Sequence, residues 1–213
     1  EFRKLGMQID NARTWQDWID VYKQLVYWEL ELQDIGSEMS EMLKIQKQEA
    51  NNLFQRFIRR NYQGWIDGSI KDRPLMSPDI FKSKIFPLLS QGKQVFLLII
   101  DNFRYDQWRI LMKEISDLFT FDDTLYYSIL PTVTQYARNA ICSGLMPLQI
   151  QEMFPDLWVE EDEDEGKNLK EGQLLKTLMD RFRRKETYSY HKINDSLGVN
   201  KIISQFLQIK KNQ

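Results

Sequence analysis

Six consecutive apolar residues, Val95-Phe96-Leu97-Leu98-Ile99-Ile100, stop abruptly at Asp101, and this constrains the fold more than any other feature of the chain. Aliphatic and β-branched side chains with no polar interruption suit a strand buried on both faces of a parallel sheet. A carboxylate where such a strand leaves the sheet lies at the edge where open α/β folds bind ligands. Around this strand the pattern predicts further strands at 124–130 and 187–190. Helices are expected over Tyr105–Phe119, Thr134–Ser143, Lys170–Lys185 and Ser196–Leu207, with a short apolar segment over Leu148–Phe154. Strands alternating with helices imply βαβ units and a mostly parallel sheet flanked by helices.

The first third of the chain has a different period. Thr14-Trp15-Gln16-Asp17 resembles a capping box with Asp as the fourth residue. Trp18, Tyr22, Leu25 and Trp28 then recur at helical spacing, widened by Ile19 and Val26. Gly36 is the expected stop. A second helix is expected from Ser37 to Tyr62, with a stripe of Met39, Leu43, Ala50, Leu53, Phe54, Phe57 and Ile58. Two long helices joined by a short loop predict an antiparallel hairpin or part of a small bundle. Trp15, Trp18 and Trp28 are expected to fill its core or to meet a partner domain or a second copy. The expected organisation is an α/β chain: a helical bundle over 1–66, a connector with a short helix over 67–93, and the α/β part over 94–213. Within the connector, Ser77 is the expected N-cap, with Pro78 at the first helical position.

A chain of 213 residues with 42% hydrophobic residues is large enough for a substantial core. The net charge of −2 argues against broad non-specific binding to nucleic acid. No apolar run approaches the roughly 20 residues that span a bilayer. The start, Glu1-Phe2-Arg3-Lys4, lacks the apolar stretch of a signal peptide. One cysteine, Cys142, permits no internal disulfide, which fits a reducing, cytoplasmic setting. The chain begins without Met and in mid-pattern, so a piece of something longer is expected.

Residues with chemical potential gather around two segments. After Asp101 come Asn102, Arg104 and Asp106, and an arginine can fork onto phosphate oxygens. Asp106 is free to pair with Arg104 or to cap the next helix. The second segment is Leu130-Pro131-Thr132-Val133-Thr134-Gln135-Tyr136-Ala137-Arg138-Asn139, closed by Cys142-Ser143-Gly144. A threonine at a helix start is more often a cap than a nucleophile. The free N–H groups there nonetheless favour phosphate, and a hydroxyl becomes a competent nucleophile when a metal lowers its pKa. The run Glu160 to Glu165 reads as a solvated loop, or as a segment that screens the site or attracts a cation. Arg181, Arg183, Arg184 and Lys185 either complement a helix dipole or meet an oligonucleotide or acidic partner.

Together, the strand end at Asp101, the Pro131-Thr132-Val133-Thr134 segment and Ser143-Gly144-Leu145-Met146-Pro147 resemble the first half of an alkaline-phosphatase-superfamily core. Asp101-Asn102-Phe103-Arg104-Tyr105-Asp106-Gln107-Trp108 is most similar to the PglZ-type domain of that superfamily. Residues 1–66 resemble the linker bundle of PorX-type response regulators from Bacteroidetes, in which a phosphoacceptor receiver domain precedes the bundle. The resemblance implies a metal-dependent phosphodiesterase acting on nucleotides or oligonucleotides. Thr134 would be its nucleophile and a metal ligand, Asp101 a second ligand, and Asn102, Arg104 and Asn139 substrate contacts. It implies zinc, two ions in the complete site, with ligands beyond those visible here. His191 is the one histidine, and a lone histidine is more often structural. The resemblance also implies a role in type IX secretion and gliding motility. The alternative is a regulatory module without catalysis that dimerises on phosphorylation and binds a sensor kinase, a sigma factor or a secretion component.

Overall fold

The computed structural model describes residues 2–32, 37–159, 166, 168–193, 198–200 and 203–204. The Gly36 stop, the acidic run 160–165 and most of the last expected helix lie outside them; 198–200 and 203–204 are helical. The chain divides into two compact units, one of residues 1–75 and 97–127, the other of 76–96 and 128–213.

The first unit is built on three helices, α1 (Phe2–Asn11), α2 (Trp15–Glu31) and α3 (Ser37–Asp67), each packed on the other two. The predicted capping box forms: Asp17 N–H donates to Thr14 Oγ1 at 3.1 Å, and Thr14 N–H donates back to Asp17 at 2.8 Å. These bonds, with one from Arg13 N–H, hold the Asp17 carboxyl below the usual carboxylate range. The core takes Leu5 and Ile9 from α1, Trp18, Val21 and Leu25 from α2, and Leu43 and Ala50 from α3. The short α1 thus completes a bundle that the two-helix reading left open. Val21 rather than Tyr22 faces inward, and Tyr22 and Met39 are exposed. Trp18 is buried and meets the Phe54 ring edge-on at 5.3 Å. Phe57, Trp65 and Tyr127 extend the ring contacts. Trp28 packs on the core from a partly buried position, whereas Trp15 donates its indole N–H to Asp72 at 3.0 Å. Helix α5 (Tyr105–Glu114) joins this unit through α2 and ends before the expected Phe119.

The second unit begins with a 3-10 turn (Ser77–Asp79), then a wide π turn (Phe81–Ile85) that runs on into α4 (Phe86–Ser90). Met76, not Ser77, occupies the N-cap position. The fully buried Ser77 hydroxyl instead accepts Ile129 N–H at 3.2 Å. Helix α6 (Thr134–Ser143) has the predicted bounds, and α7 (Pro147–Met153) covers the apolar segment after it. Helix α8 (Glu171–Arg181) packs on α6. The two helices run in the same direction: Arg138 meets Glu171 at the start of α8, and Arg181 meets the Ser143 carbonyl at its end. Between these polar ties lie Ile141, Cys142, Leu174 and Leu178, all buried.

The expected parallel sheet is absent among the described residues, which are mainly helical. Residues 94–100 are not a strand, and Phe96 to Ile100 are from 40% to 79% exposed rather than buried on both faces. A sheet exists only when neighbouring strands supply partners for the backbone N–H and C=O groups. The two other expected strands bond elsewhere. Tyr127 N–H donates to Leu75 O at 2.8 Å and its hydroxyl to Trp15 O at 2.9 Å. Tyr190, in the third, gives its hydroxyl to Glu171 at 2.6 Å. Apolar periodicity fixes what a segment wants to bury and leaves its pairing open.

Two substitutions test these packing assignments. Trp18→Ala removes the central ring of the first unit and should cost about 3–5 kcal/mol in chemical denaturation. Gly144 ends α6 at φ 65°, and a Cβ there would lie 2.8 Å from Leu178 Cδ1. Gly144→Ala should therefore cost about 2 kcal/mol or more, combining left-handed strain with overpacking. Gly68→Ala, at φ 76° with nothing within 4 Å of its Cβ, should show the strain alone.

Candidate functional site

In the first unit, Asp101 and Asn102 form an exposed turn, and Asn102 adopts the left-handed conformation at φ 53°. Asparagine tolerates this region better than most residues because its short amide bonds locally. The turn leads into α5, where Arg104 N–H donates to Gln107 Oε1 at 3.0 Å. Arg104 forks onto Asp106, with Nε to Oδ1 at 3.0 Å and Nη2 to Oδ2 at 2.7 Å. Of the two uses open to Asp106, pairing is the one adopted. The bond holds the Asp106 carboxyl low and raises Arg104. Behind this pair Tyr105 donates its hydroxyl to Asp123 at 2.7 Å, and Lys23 reaches the same carboxylate at 3.5 Å. Burial, then the bond to Asp123, pushes the Tyr105 phenol up to about 12.

In the second unit, Thr134 is the first helical residue of α6, and Val133 holds the N-cap position without a side-chain bond. The capping role that threonines usually play at helix starts therefore does not fall to Thr134. In this first turn the Val133 carbonyl accepts both Tyr136 N–H at 3.0 Å and Ala137 N–H at 2.9 Å. Thr134 is partly buried, and Asn139, one face further on, is buried at 4% exposure. The Ser143 hydroxyl accepts Leu145 N–H at 3.2 Å, and its carbonyl accepts from Arg181.

The structure thus sorts the predicted residues into two sets. Asp101, Asn102 and Arg104 share one turn in the first unit, and Thr134 and Asn139 share one helix in the second. Among the described residues no group of three or more His, Cys, Asp or Glu side chains is placed to hold a metal ion. Asp101 and Thr134 supply two oxygens, against the four ligands of a closed zinc site. Within either unit, then, the described residues do not make up a zinc centre. The lone His191 is exposed and sits between Tyr190 and Lys192.

Sequence reasoning missed the one charged side chain that is fully buried among the described residues of the second unit. Glu171 is 1% exposed. It receives Arg138 Nη2 at 2.6 and 2.8 Å, the Tyr190 hydroxyl at 2.6 Å and Lys192 Nζ at 3.4 Å. Contact with this carboxylate, after burial, keeps the Tyr190 phenol raised. Cys142 lies within its field, and burial pushes the thiol up to about 12, so it stays protonated and unreactive at neutral pH. An acid in the first turn of a helix is ordinary in sequence, and only the tertiary packing of α6 against α8 makes it central. In the predicted basic patch, Arg181 and Arg184 are engaged internally. Arg184 bonds Glu186 and Ser90 and lies over the Phe86 ring at 5.1 Å.

Two family models match the chain. The PorX response regulator linker domain matches residues 1–66, and the BREX system PglZ alkaline phosphatase-like domain matches residues 80–204. No curated protein matches. Among the described residues no helix is long and apolar enough to cross a membrane. The two matches succeed one another along the chain, the second containing both the Asp101 and the Thr134 segments, and the chain belongs to the family of PglZ alkaline phosphatase-like domains, carried here behind a PorX-type response-regulator linker.

Proposed function

We propose that the chain contributes the nucleophile-bearing part of a phosphodiesterase acting on nucleotide or oligonucleotide phosphodiesters. The observation that carries this reading is Thr134: a hydroxyl-bearing residue at the first helical position of α6, in a segment matched by an alkaline phosphatase-like domain. Helix starts favour phosphate oxygens, and a threonine hydroxyl can serve as a nucleophile toward phosphorus once it is activated. Asn102, Arg104 and Asn139 are the proposed substrate contacts. Zinc belongs to the same proposal, with Asp101 and Thr134 as two ligands and the others outside the described residues. When bound, the metal would lower the hydroxyl pKa and offset charge on the phosphoryl group. The setting proposed for this chemistry is a cytoplasmic two-component regulator of type IX secretion and gliding motility.

A second reading is supported by the linker-domain match and by an exposed apolar row on α3, where Met39, Met42 and Ile45 are from 38% to 67% exposed. In it the bundle is a dimerisation element that responds to phosphorylation, and the output is binding to a sensor kinase, a sigma factor or a secretion component.

Hydrolysis of bis(p-nitrophenyl) phosphate by the zinc-supplied protein separates the readings. Thr134→Ala should lower the rate by about 10³-fold or more while the circular dichroism spectrum is unchanged. Thr134→Ser should keep measurable turnover. A wild-type rate in a folded Thr134→Ala protein excludes the nucleophile assignment. For the second reading, sedimentation of Met42→Glu and Ile45→Glu proteins should show a weaker dimer, and unchanged association removes that face from the interface.

A further inference from the structure

The cluster around Glu171 has a charge arrangement that the phosphodiesterase reading does not use. Glu171 is 1% exposed, whereas the Arg138 and Lys192 side chains paired with it are 20% and 28% exposed. The one anion faces inward and the two cations reach solvent. Two positive charges against one negative leave a net positive charge at this surface. The carboxylate is too deep to take a ligand from solution, but it fixes where the cations stand. Lys192 is tied further by a 2.6 Å bond to Asn168 O, and Tyr190 by its hydroxyl on Glu171, so the segment 190–192 is clamped at the start of α8.

The position of this cluster gives it a ligand class. Glu171 is the first residue of α8, and α6 runs in the same direction alongside, so both helices begin at this end of the second unit. Arg138 lies four residues after Thr134 on α6, and residues at that spacing share a helix face with Cβ atoms about 5–6 Å apart. Side chains on a helix lean toward its N-terminus, and Arg138 reaches Glu171 at the start of α8 in that direction. A planar guanidinium and an ammonium held at one edge match the oxygens of a phosphoryl group.

We propose that Arg138 and Lys192 form a phosphoryl-binding subsite on the second unit, with Glu171 as the positioning residue that holds both. Its use in turnover rests on the Thr134 reading, but the binding itself does not. Inorganic phosphate, titrated by calorimetry and by amide chemical shifts without metal, tests it directly. Lys192→Met should weaken phosphate binding by about tenfold, and raised salt should weaken the wild type similarly. Arg138→Met alone would strand a buried carboxylate, so it is paired with Glu171→Met, which removes both charges together. That double variant should lose the phosphate-dependent shifts at α6 while remaining folded. If Thr134→Ala keeps hydrolysis while the two cation variants lose phosphate, the nucleophile assignment fails and the subsite stands. Absence of phosphate binding in the wild type, or equal binding in Lys192→Met and the double variant, overturns the subsite.

Discussion

A carboxylate that solvent scarcely reaches organises the second unit. Glu171 could not be buried as an isolated anion, because removing a charge from water costs several kcal/mol unless partners replace the lost hydration. Arg138, Tyr190 and Lys192 supply those partners from α6 and from the segment after α8. The same requirement therefore fixes the direction of α6 relative to α8 and the path of the chain beyond the helix. At the other end, Arg181 on the Ser143 carbonyl and the close approach of Leu178 to Gly144 complete the match. Thr134 inherits its position from this arrangement, since it opens the helix that the two ties hold.

The first unit is stabilised differently. Its aliphatic core is bordered by a chain of aromatic rings, in which Trp18 meets Phe54 and Phe57, and Phe57 meets Trp65. Ring pairs of this kind add about 0.5–1.5 kcal/mol each beyond the area they bury. Tyr127 joins them although it is far away in sequence, and its hydroxyl bonds to Trp15 O. The bundle thereby captures a segment whose composition suits a strand.

Much of the helical content was legible because its signals are local. The Thr14 box, the Gly144 stop and the stripe through Leu43 and Ala50 depend on residues within a few positions of each other. The α6 boundaries followed from the same kind of cue. The sheet reading failed because pairing is not local: Val95–Ile100 has the composition of a central strand, yet nothing in that composition names its neighbours. Tyr127 gives its backbone N–H to Leu75 O, so the 124–130 segment meets the chain near Leu75 at that point. At the candidate site, the identities of Asp101 and Thr134 stood out in sequence, whereas Glu171 did not. Its importance comes from burial by α6, a property that no spacing along α8 encodes.

The exposed run from Phe96 to Ile100 also bears on how the chain behaves in solution. It combines high β-propensity with no charge and no proline, the composition of segments that template intermolecular stacking. Lys93 on one side and Asp101 on the other are the nearest ionised groups, one of each sign, so they act as gatekeepers only at the ends of the run. These five exposed apolar side chains are therefore a predicted aggregation hazard of this chain.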